Sequence, residues 1–386
     1  MVEDVLNEQH IFIGADLVPT ASNWEEFISA NVGMLLDANL QKLLSKADFT
    51  LFNLEVPLAD AKTPILKNGP TLIAPTATVA GLHEINPYAF TLANNHIMDQ
   101  GESGLSSTLK TLDDAGLSHF GAGLTAKAAA KPLVVELGPC KIGFYACAEH
   151  EFSIAVDGGA GANPFDPFDS LDAVRELSGS CDYVVALYHG GKEHYRYPSP
   201  MLQKRCRKLA EAGANLVLCQ HSHCVGCKEE WSGGTVVYGQ GNFLFDDDDN
   251  EFWATGLLVE VVLGTTFELV FHPLVKRGSS VALAMGDEGK AILSAFESRS
   301  SCILEPGFIE KEYAGFARGC LNGYLEAGIP GSRTVAYRVI NKLSGGKLAS
   351  RLVNKKRLAR IKNYLVCEAH EELFSTGLDI AMEGRK

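Results

Sequence analysis

The chain has 386 residues, 46% of them apolar and 21% charged, with a formal net charge of -13. That composition is globular and excludes a disordered or fibrous chain. The acidic balance speaks against a main body that grips nucleic acid, and it leaves carboxylates to spare for a metal.

The opening Met1-Val2-Glu3-Asp4 is acidic and no long apolar stretch follows it, which does not read as a secretory signal. No segment has the roughly 18 uncharged apolar residues of a membrane span. The best, Ala254 to Leu263, is short and holds Glu260. The expectation is a cytoplasmic chain, with peripheral membrane association left open. Ten cysteines in mostly apolar or helical contexts read as buried free thiols of a reducing compartment.

Short β-rich runs alternate with helical patterns. The predicted strands are His10 to Gly14, Phe49 to Asn53, Ala89 to Leu92, Pro132 to Leu137, Lys141 to Ala146, Tyr183 to Tyr188, Leu216 to Cys219 and Thr235 to Tyr238. Apolar spacing predicts helices over Trp24 to Lys46, capped by Asn23, over Gly104 to Ala115, and over Ser199 to Ala212, which opens on Ser-Pro. This rhythm predicts a layered α/β fold. Gly256 to Leu263 and Thr266 to Phe271 flank Gly264-Thr265 and read as a hairpin, so part of the sheet should be antiparallel. From Pro306 onward there are 14 Lys+Arg against 8 Asp+Glu. We therefore divide the chain into a main domain, 1–305, and a basic helical C-terminal extension, 306–386, packed on it. Its helical stretches are Lys311 to Ala327, Val335 to Leu343 and Leu348 to Phe374, broken by Pro330 and Gly345-Gly346.

Five places carry chemistry, each where a strand gives way to a loop that can bend side chains toward one point. Asp16 follows the first strand. Asn53 and Glu55, two apart, leave the second on one side. Asn94-Asn95-His96, with Asp99 close behind, follows the third and sets an amide beside an imidazole. Either asparagine is alternatively a helix cap. His189 ends a later strand and precedes Gly190-Gly191, which would let the backbone approach a ligand. His221 and His223 follow Leu216 to Cys219 and, in extended backbone, share a side; imidazole is the commonest ligand of borderline metals. A rival reading takes Cys224-Val225-Gly226-Cys227 with these histidines as a structural zinc site. Taken as a series, the oxygen and nitrogen ligands specify a one- or two-metal hydrolytic centre.

The stretches Asn53-Leu54-Glu55-Val56-Pro57-Leu58, Lys67-Asn68-Gly69-Pro70, Ala93 to Gly101, Gly121-Ala122-Gly123, His189 to Glu193, Gln220 to His223 and Tyr238 to Phe243 come in an order that resembles the bacterial CapA family. These are capsule and poly-γ-glutamate synthesis proteins, a branch of the calcineurin-like metallophosphoesterases, and the resemblance covers about residues 10–275. It implies a four-layer α/β/β/α sandwich of two mixed sheets. It also implies a metal-dependent hydrolase of a phosphoester or related bond, with one or two divalent ions (Mn, Fe or Zn). Asp16, Glu55, Asn95, His189, His221 and His223 would be the metal ligands, with Glu55 bridging. His96, with Asn95 and Asp99, would be the catalytic set, and Lys67, Glu193 and Asn242 would line the substrate pocket. The implied partners are a small-molecule or polymer-precursor substrate and other capsule-synthesis proteins, not nucleic acid. One departure matters: the superfamily's Asp-x-His is here Asp16-Leu17-Val18. That gap motivates an alternative, a non-catalytic binding or scaffold component of polymer assembly.

Three weaker features remain. Asp246 to Asp249 is either a metal-tuning run or a solvated loop. Lys355 to Lys362 either docks an anionic polymer or lipid headgroup or is a helix with a wet face. Tyr145 and His150-Glu151 follow or end a strand and so are candidates to face the site.

Overall fold

The computed structural model describes residues 8–156, 158–246, 250–264, 266–329, 331–332, 334–366, and 370, 371, 374, 378 and 382. Asp247 to Asp249, Thr265, Pro330 and Cys367, which figure in the reading above, lie outside the described residues, as do Met1 to Asp4. The chain forms two compact units, Met1–Ile309 and Glu310–Lys386.

The strands are β1 (Gln9–Val18), β2 (Phe49–Leu54), β3 (Ala89–Thr91), β4 (Ser118–Phe120), β5 (Ala122–Gly123), β6 (Leu133–Leu137), β7 (Cys140–Ala148), β8 (Gly161–Ala162), β9 (Tyr183–His189), β10 (Leu216–Gln220), β11 (Lys228–Trp231), β12 (Gly234–Tyr238), β13 (Asn242–Phe245), β14 (Thr255–Leu263), β15 (Phe267–Arg277) and β16 (Ser280–Leu283). The helices are α1 (Trp24–Ile28), α2 (Val32–Leu35), α3 (Ala38–Leu44), α4 (Val79–Glu84), α5 (Gly101–Asp114), α6 (Ala126–Ala129), α7 (Asp169–Ser178), α8 (Pro200–Glu211), α9 (Gly286–Cys302), α10 (Phe308–Ala327), α11 (Val335–Leu343), α12 (Leu348–Leu352) and α13 (Lys355–Val366).

Two mixed sheets result. One runs β16-β15-β14-β1-β2-β3-β4, with β13 also paired to β1; the other runs β11-β12-β10-β9-β7-β6. Strand alternation sorts their side chains into three apolar layers. Ile11, Ile13, Phe49 and Leu51 meet Ile142, Phe144, Val185 and Leu218 between the sheets, where the rings of Phe49 and Phe144 stack at 4.9 Å. On the outer face of the first sheet Phe12, Phe52 and Phe90 meet Phe27, Leu40, Leu82 and Leu105 of the helices. On the outer face of the second, Val184, Ala186 and Val217 meet Val174, Leu202 and Leu209. Three cores separating helix, sheet, sheet and helix make the expected four-layer sandwich. Each large apolar side chain so buried contributes about 1.5–3 kcal/mol.

The predicted strands are all present, several of them longer by a few residues. The hairpin is β14 and β15, antiparallel from Thr255↔Val275 to Leu263↔Phe267. The long helix over 24–46 is not formed. Ala30 sits at φ 55°, in the left-handed region that halts a helix of L-residues, and α1, α2 and α3 take its place. Asn23 does not cap α1; its amide accepts from Thr20 N–H at 2.9 Å and donates to Ser279 O at 3.1 Å. The real cap is Asp37, which accepts from the Leu40 and Asn39 amides and from Leu283 N–H of β16 at 3.0 Å. Ser199 caps α8 as read, accepting from Leu202 N–H at 3.0 Å. The helical stretch from Leu348 is interrupted at Val353, whose backbone is extended. The nine described cysteines are all free. Among the described residues no helix is long and apolar enough to cross a membrane.

Candidate metal centre

Both sheets deliver polar side chains from the C-terminal ends of parallel strands. Asp16 lies inside β1 rather than after it, where the pairing register with β2 shifts between Ile13 and Asp16. It stands level with Asn53 on one side and with Asn242 on the other. Glu55 follows β2 directly, Asn94 to His96 follow β3, His189 closes β9, and His221 and His223 follow β10. All are buried.

Two overlapping ligand sets result. Glu55, His189 and His221 bring one ligand atom each within 4.8 Å of one another, and so do Asp16, Glu55 and His223. Glu55 is common to both. His189 Nε2 lies 3.1 Å from Glu55 Oε1 but without hydrogen-bond geometry; its better partner is Asn95 Oδ1 at 3.0 Å. Neither Glu55 oxygen has a hydrogen bond, and His221 Nδ1 is likewise unsatisfied. A buried carboxylate with both oxygens unpaired is costly, by several kcal/mol per ion. An imidazole nitrogen left bare beside it completes the donor chemistry of a divalent cation. These residues fit such an ion.

The backbone is strained at the same place. His221 has φ 92° and His223 φ 52°, a region that costs a non-glycine residue about 1–3 kcal/mol. The extended backbone expected for this pair is therefore not what brings them together. Two left-handed residues turn the chain after Gln220, and the rings meet at 6.0 Å between centroids. The turn also aims His221 N–H at Asp16 Oδ2, 3.2 Å away.

Charge in the cluster is finely opposed. Burial works against the charged form of His223, but the neighbouring Asp16, Glu55 and Asn242 outweigh it and raise the group to about 9. Burial likewise opposes charge on His189, and Glu55 overturns this to push its pKa upward. For His221 burial prevails, reinforced by His189 and His223, and holds it well below the usual imidazole value. Burial would raise the Asp16 carboxyl, but His223 and His189 bring it down.

An outer ring fixes these groups. Asn53 Nδ2 donates to Asp16 Oδ1 at 2.8 Å, while Asn94 Nδ2 donates to Asn53 Oδ1 at 3.1 Å. Asn94 is thus a strut, and its Oδ1 also accepts from His96 N–H. Asn242 Oδ1 lies 2.9 Å from His223 Nδ1, and Trp253 packs its ring 4.4 Å from that imidazole. Asn95 Nδ2 donates to Glu151 Oε2 at 2.8 Å, which turns its Oδ1 toward His189. His96 Nδ1 lies 2.6 Å from Asp99 Oδ2 and 3.3 Å from Lys67 Nζ. Lysine can only donate, as can the imidazole N–H, so the proton on Nδ1 goes to Asp99. Lys67 then binds the other Asp99 oxygen at 2.6 Å. Leu72 N–H also holds Asp99, at 2.6 Å.

Glu193 is placed differently. Its half-exposed carboxylate lies 3.7 Å from Lys192 Nζ, and no described contact ties it to the cluster. Gly190 does serve a close approach, but of protein: a Cβ there would stand 2.4 Å from Glu149 Cγ. Glu149 in turn accepts from Gly191 N–H, Tyr188 OH and Arg205. Tyr145 points away, into the outer core, with its hydroxyl on Ser170. Cys224 and Cys227 are buried free thiols, and among the described residues neither joins a His/Cys/Asp/Glu ligand group. Asp246 pairs with Lys276 at 2.7 Å and accepts from Ser22. Of the candidates at the end of β7, Glu151 does reach the cluster, through Asn95; Glu149 and Trp253 are not among the sequence candidates, although the rule that picks out acids at strand ends applies equally to Glu149.

The model of the family described as "Bacterial capsule synthesis protein PGA_cap" matches residues 31–247, more than half of the chain. The chain belongs to this family. All of the clustered ligands but Asp16 fall within the match. Among similar proteins, the capsule biosynthesis protein CapA of Bacillus anthracis is 26% identical over 181 residues, 45% of this chain and 44% of that one. The PGA biosynthesis protein CapA of Bacillus subtilis (strain 168) is 28% identical over 173 residues, 44% of this chain and 45% of that one. The chain thus spans less than half the length of either relative. A solved structure of a phosphatase from Mycoplasma pneumoniae superposes with a TM-score of 0.43 at 15% identity, covering 71% of this chain and 95% of that one.

Proposed function

We propose that this PGA_cap-family chain is a metal-dependent hydrolase of a phosphoester or related bond in bacterial capsule or poly-γ-glutamate synthesis. The observation that carries the reading is Glu55: buried, unpaired at both oxygens, and common to two ligand sets. That is the arrangement a bridging carboxylate needs. The names of the similar CapA proteins support the pathway. Asp16, Glu55, Asn95, His189, His221 and His223 would hold a divalent ion, which would supply Lewis acidity and lower the pKa of a bound water.

The chain's own residues then supply position and protons. Asp99 holds His96 by Nδ1–H, so Nε2 is the atom left for the substrate; when the ring carries a proton on both nitrogens, a form that the Asp99 carboxylate supports, Nε2–H donates to a leaving oxygen or binds a phosphoryl oxygen. Lys67 and the Leu72 amide hold Asp99 in turn. Asn242 orients His223, and Glu193, whose described ion pair is with Lys192, is given no part in the centre. The test is divalent-metal content by mass spectrometry together with hydrolysis of p-nitrophenyl phosphate, for wild type and His223→Ala. Both quantities should fall in the variant; if neither changes, the reading is wrong.

Val18 favours a second reading. It stands where the superfamily pattern has histidine, and it is buried among apolar neighbours. A centre short of that ligand suits a component that recognises a polymer precursor without cleaving it. Metal-dependent turnover that disappears in His96→Ala decides for the enzyme.

A further inference from the structure

The second unit holds a helix turned inside out. Around α11 the residues Val335, Ala336, Val339, Ile340 and Leu343 occupy one arc of about 140° at 100° per residue. In a helix of a water-soluble bundle that arc would face the core. Here it faces outward: Val335 is 74% exposed, Leu343 83%, and Val339 and Ile340 53% each, and α11 buries no residue at all. Its polar side is the half-buried one, where Asn341 donates to Glu326 at 2.8 Å and accepts from Leu348 N–H at 3.1 Å. Lys342 lies at the edge of the apolar arc. The flanking sequence is just as one-sided: residues 327–367 hold ten Lys and Arg and no Asp or Glu. On α12 and α13, Leu352, Ile361 and Leu365 are also exposed. A groove of about 790 Å³ in the same unit is lined by Leu325, Leu352, Ile361, Tyr364, Arg357 and Arg360.

We propose that this face docks on an anionic lipid bilayer, with the apolar arc of α11 lying in the headgroup region and the surrounding Lys and Arg on the lipid phosphates. Charge complementarity points to an anionic partner. The exposed aliphatic arc selects lipid over a polyanion, because a water-soluble polymer of carboxylates has nothing apolar to cover Val335, Val339, Ile340 and Leu343. An amphipathic helix with basic residues beside its apolar face is the form that binds in the interface plane. Each basic residue near such a surface adds about fivefold to the affinity. The docking owes nothing to the metal centre and does not depend on its chemistry.

The test is co-flotation of the full chain with vesicles of phosphatidylcholine alone and with 30% phosphatidylglycerol, in low and high salt, with soluble poly-glutamate as competitor. Binding to the anionic vesicles that salt weakens is expected. Val339→Asp/Leu343→Asp should reduce it by roughly tenfold or more, and Lys342→Glu/Lys347→Glu comparably. Both pairs change exposed positions, so an unchanged circular dichroism spectrum certifies the fold. Equal binding to neutral and anionic vesicles, or full binding by the Asp pair, overturns the proposal. Retention on poly-glutamate without vesicle binding also overturns it, in favour of a polymer-docking face.

Discussion

Glu55→Ala gives the most direct reading of the centre. The carboxylate serves both ligand sets, so its loss should weaken every cation site there at once. A ligand that binds only the folded state stabilises it by RT ln(1 + [L]/Kd), about 2.7 kcal/mol at a hundredfold excess over Kd and ~4.1 kcal/mol at a thousandfold. The unit that must unfold is Met1–Ile309. With an unfolding entropy of about 2.1 cal/mol/K per residue, it needs roughly 0.65 kcal/mol per degree. Manganese at a hundredfold excess should therefore raise the wild-type Tm by about 4 °C, and at a thousandfold by ~6 °C. Thermal melts of chelator-stripped protein over a manganese series measure the shift relative to each protein's own metal-free Tm. That removes any change in baseline stability. The variant should show no saturable rise in the range where wild type saturates. A Glu55→Ala protein with the same rise at the same manganese midpoint would refute the assignment of the shared carboxylate.

Three further outcomes are expected. Asp37→Ala removes the cap of α3 and the tie to Leu283 and should cost about 1–2 kcal/mol, or ~2–3 °C in Tm. Burial alone would raise the Asp37 carboxyl, but its bonds to the Leu283, Leu40 and Asn39 amides lower it below the usual 3.8. Its contribution is then present above the ordinary carboxylate range and lost as pH falls through the folded value, so the two proteins' melting points should converge in acid. Asp99→Asn keeps the shape around His96 but no longer fixes its proton on Nδ1, and hydrolysis of a phosphoester should fall by about 10²-fold or more at unchanged metal content; equal loss of metal would show a structural role instead. Gly256→Ala would set a Cβ 2.1 Å from Asn242 O, so the strand carrying Asn242 must shift, at roughly 1–3 kcal/mol, read by denaturant unfolding.

What the sequence made legible was local. A strand that ends in a run of polar residues announces itself, and that pattern offers Glu55, Asn95, His189 and His221 as candidates; Asp16 is offered by the same pattern although it lies inside β1. In β1 the structure puts Ile11 and Ile13 on one face and Phe12 on the other, as alternation requires. What escaped needed contacts between distant segments. Nothing local says that Ala30 turns left-handed; the break lets Asp37 reach Leu283, 246 residues on. Tyr145 was undecided because parity gives two faces without saying which meets the other sheet; Phe144 and Ala146 took the inner one. The outward face of α11 was hidden for the opposite reason. Its apolar spacing predicts a helix correctly, and only the structure reports which side is covered.

The same geometry makes the two cation positions unequal. The first set, Glu55, His189 and His221, gains Asn95 Oδ1, held toward His189 by the bond from Asn95 Nδ2 to Glu151. Its His221 is kept neutral by burial, so no proton has to leave that ligand. The second set, Asp16, Glu55 and His223, has Val18 buried in the apolar core where another ligand would stand. Its histidine is raised, against burial, to about 9 by Asp16, Glu55 and Asn242, so a cation arriving near neutral pH competes there with a proton, as it also does at His189 of the first set, which Glu55 pushes upward against burial. Calorimetric titration of stripped protein with manganese should therefore show a tight step, at the set with the extra amide ligand, and a weaker one. His221→Ala should abolish the tight step, and His223→Ala only the weak one. If His223→Ala removed the tight step and left the weak one, the order of the two positions derived from their donors would be wrong.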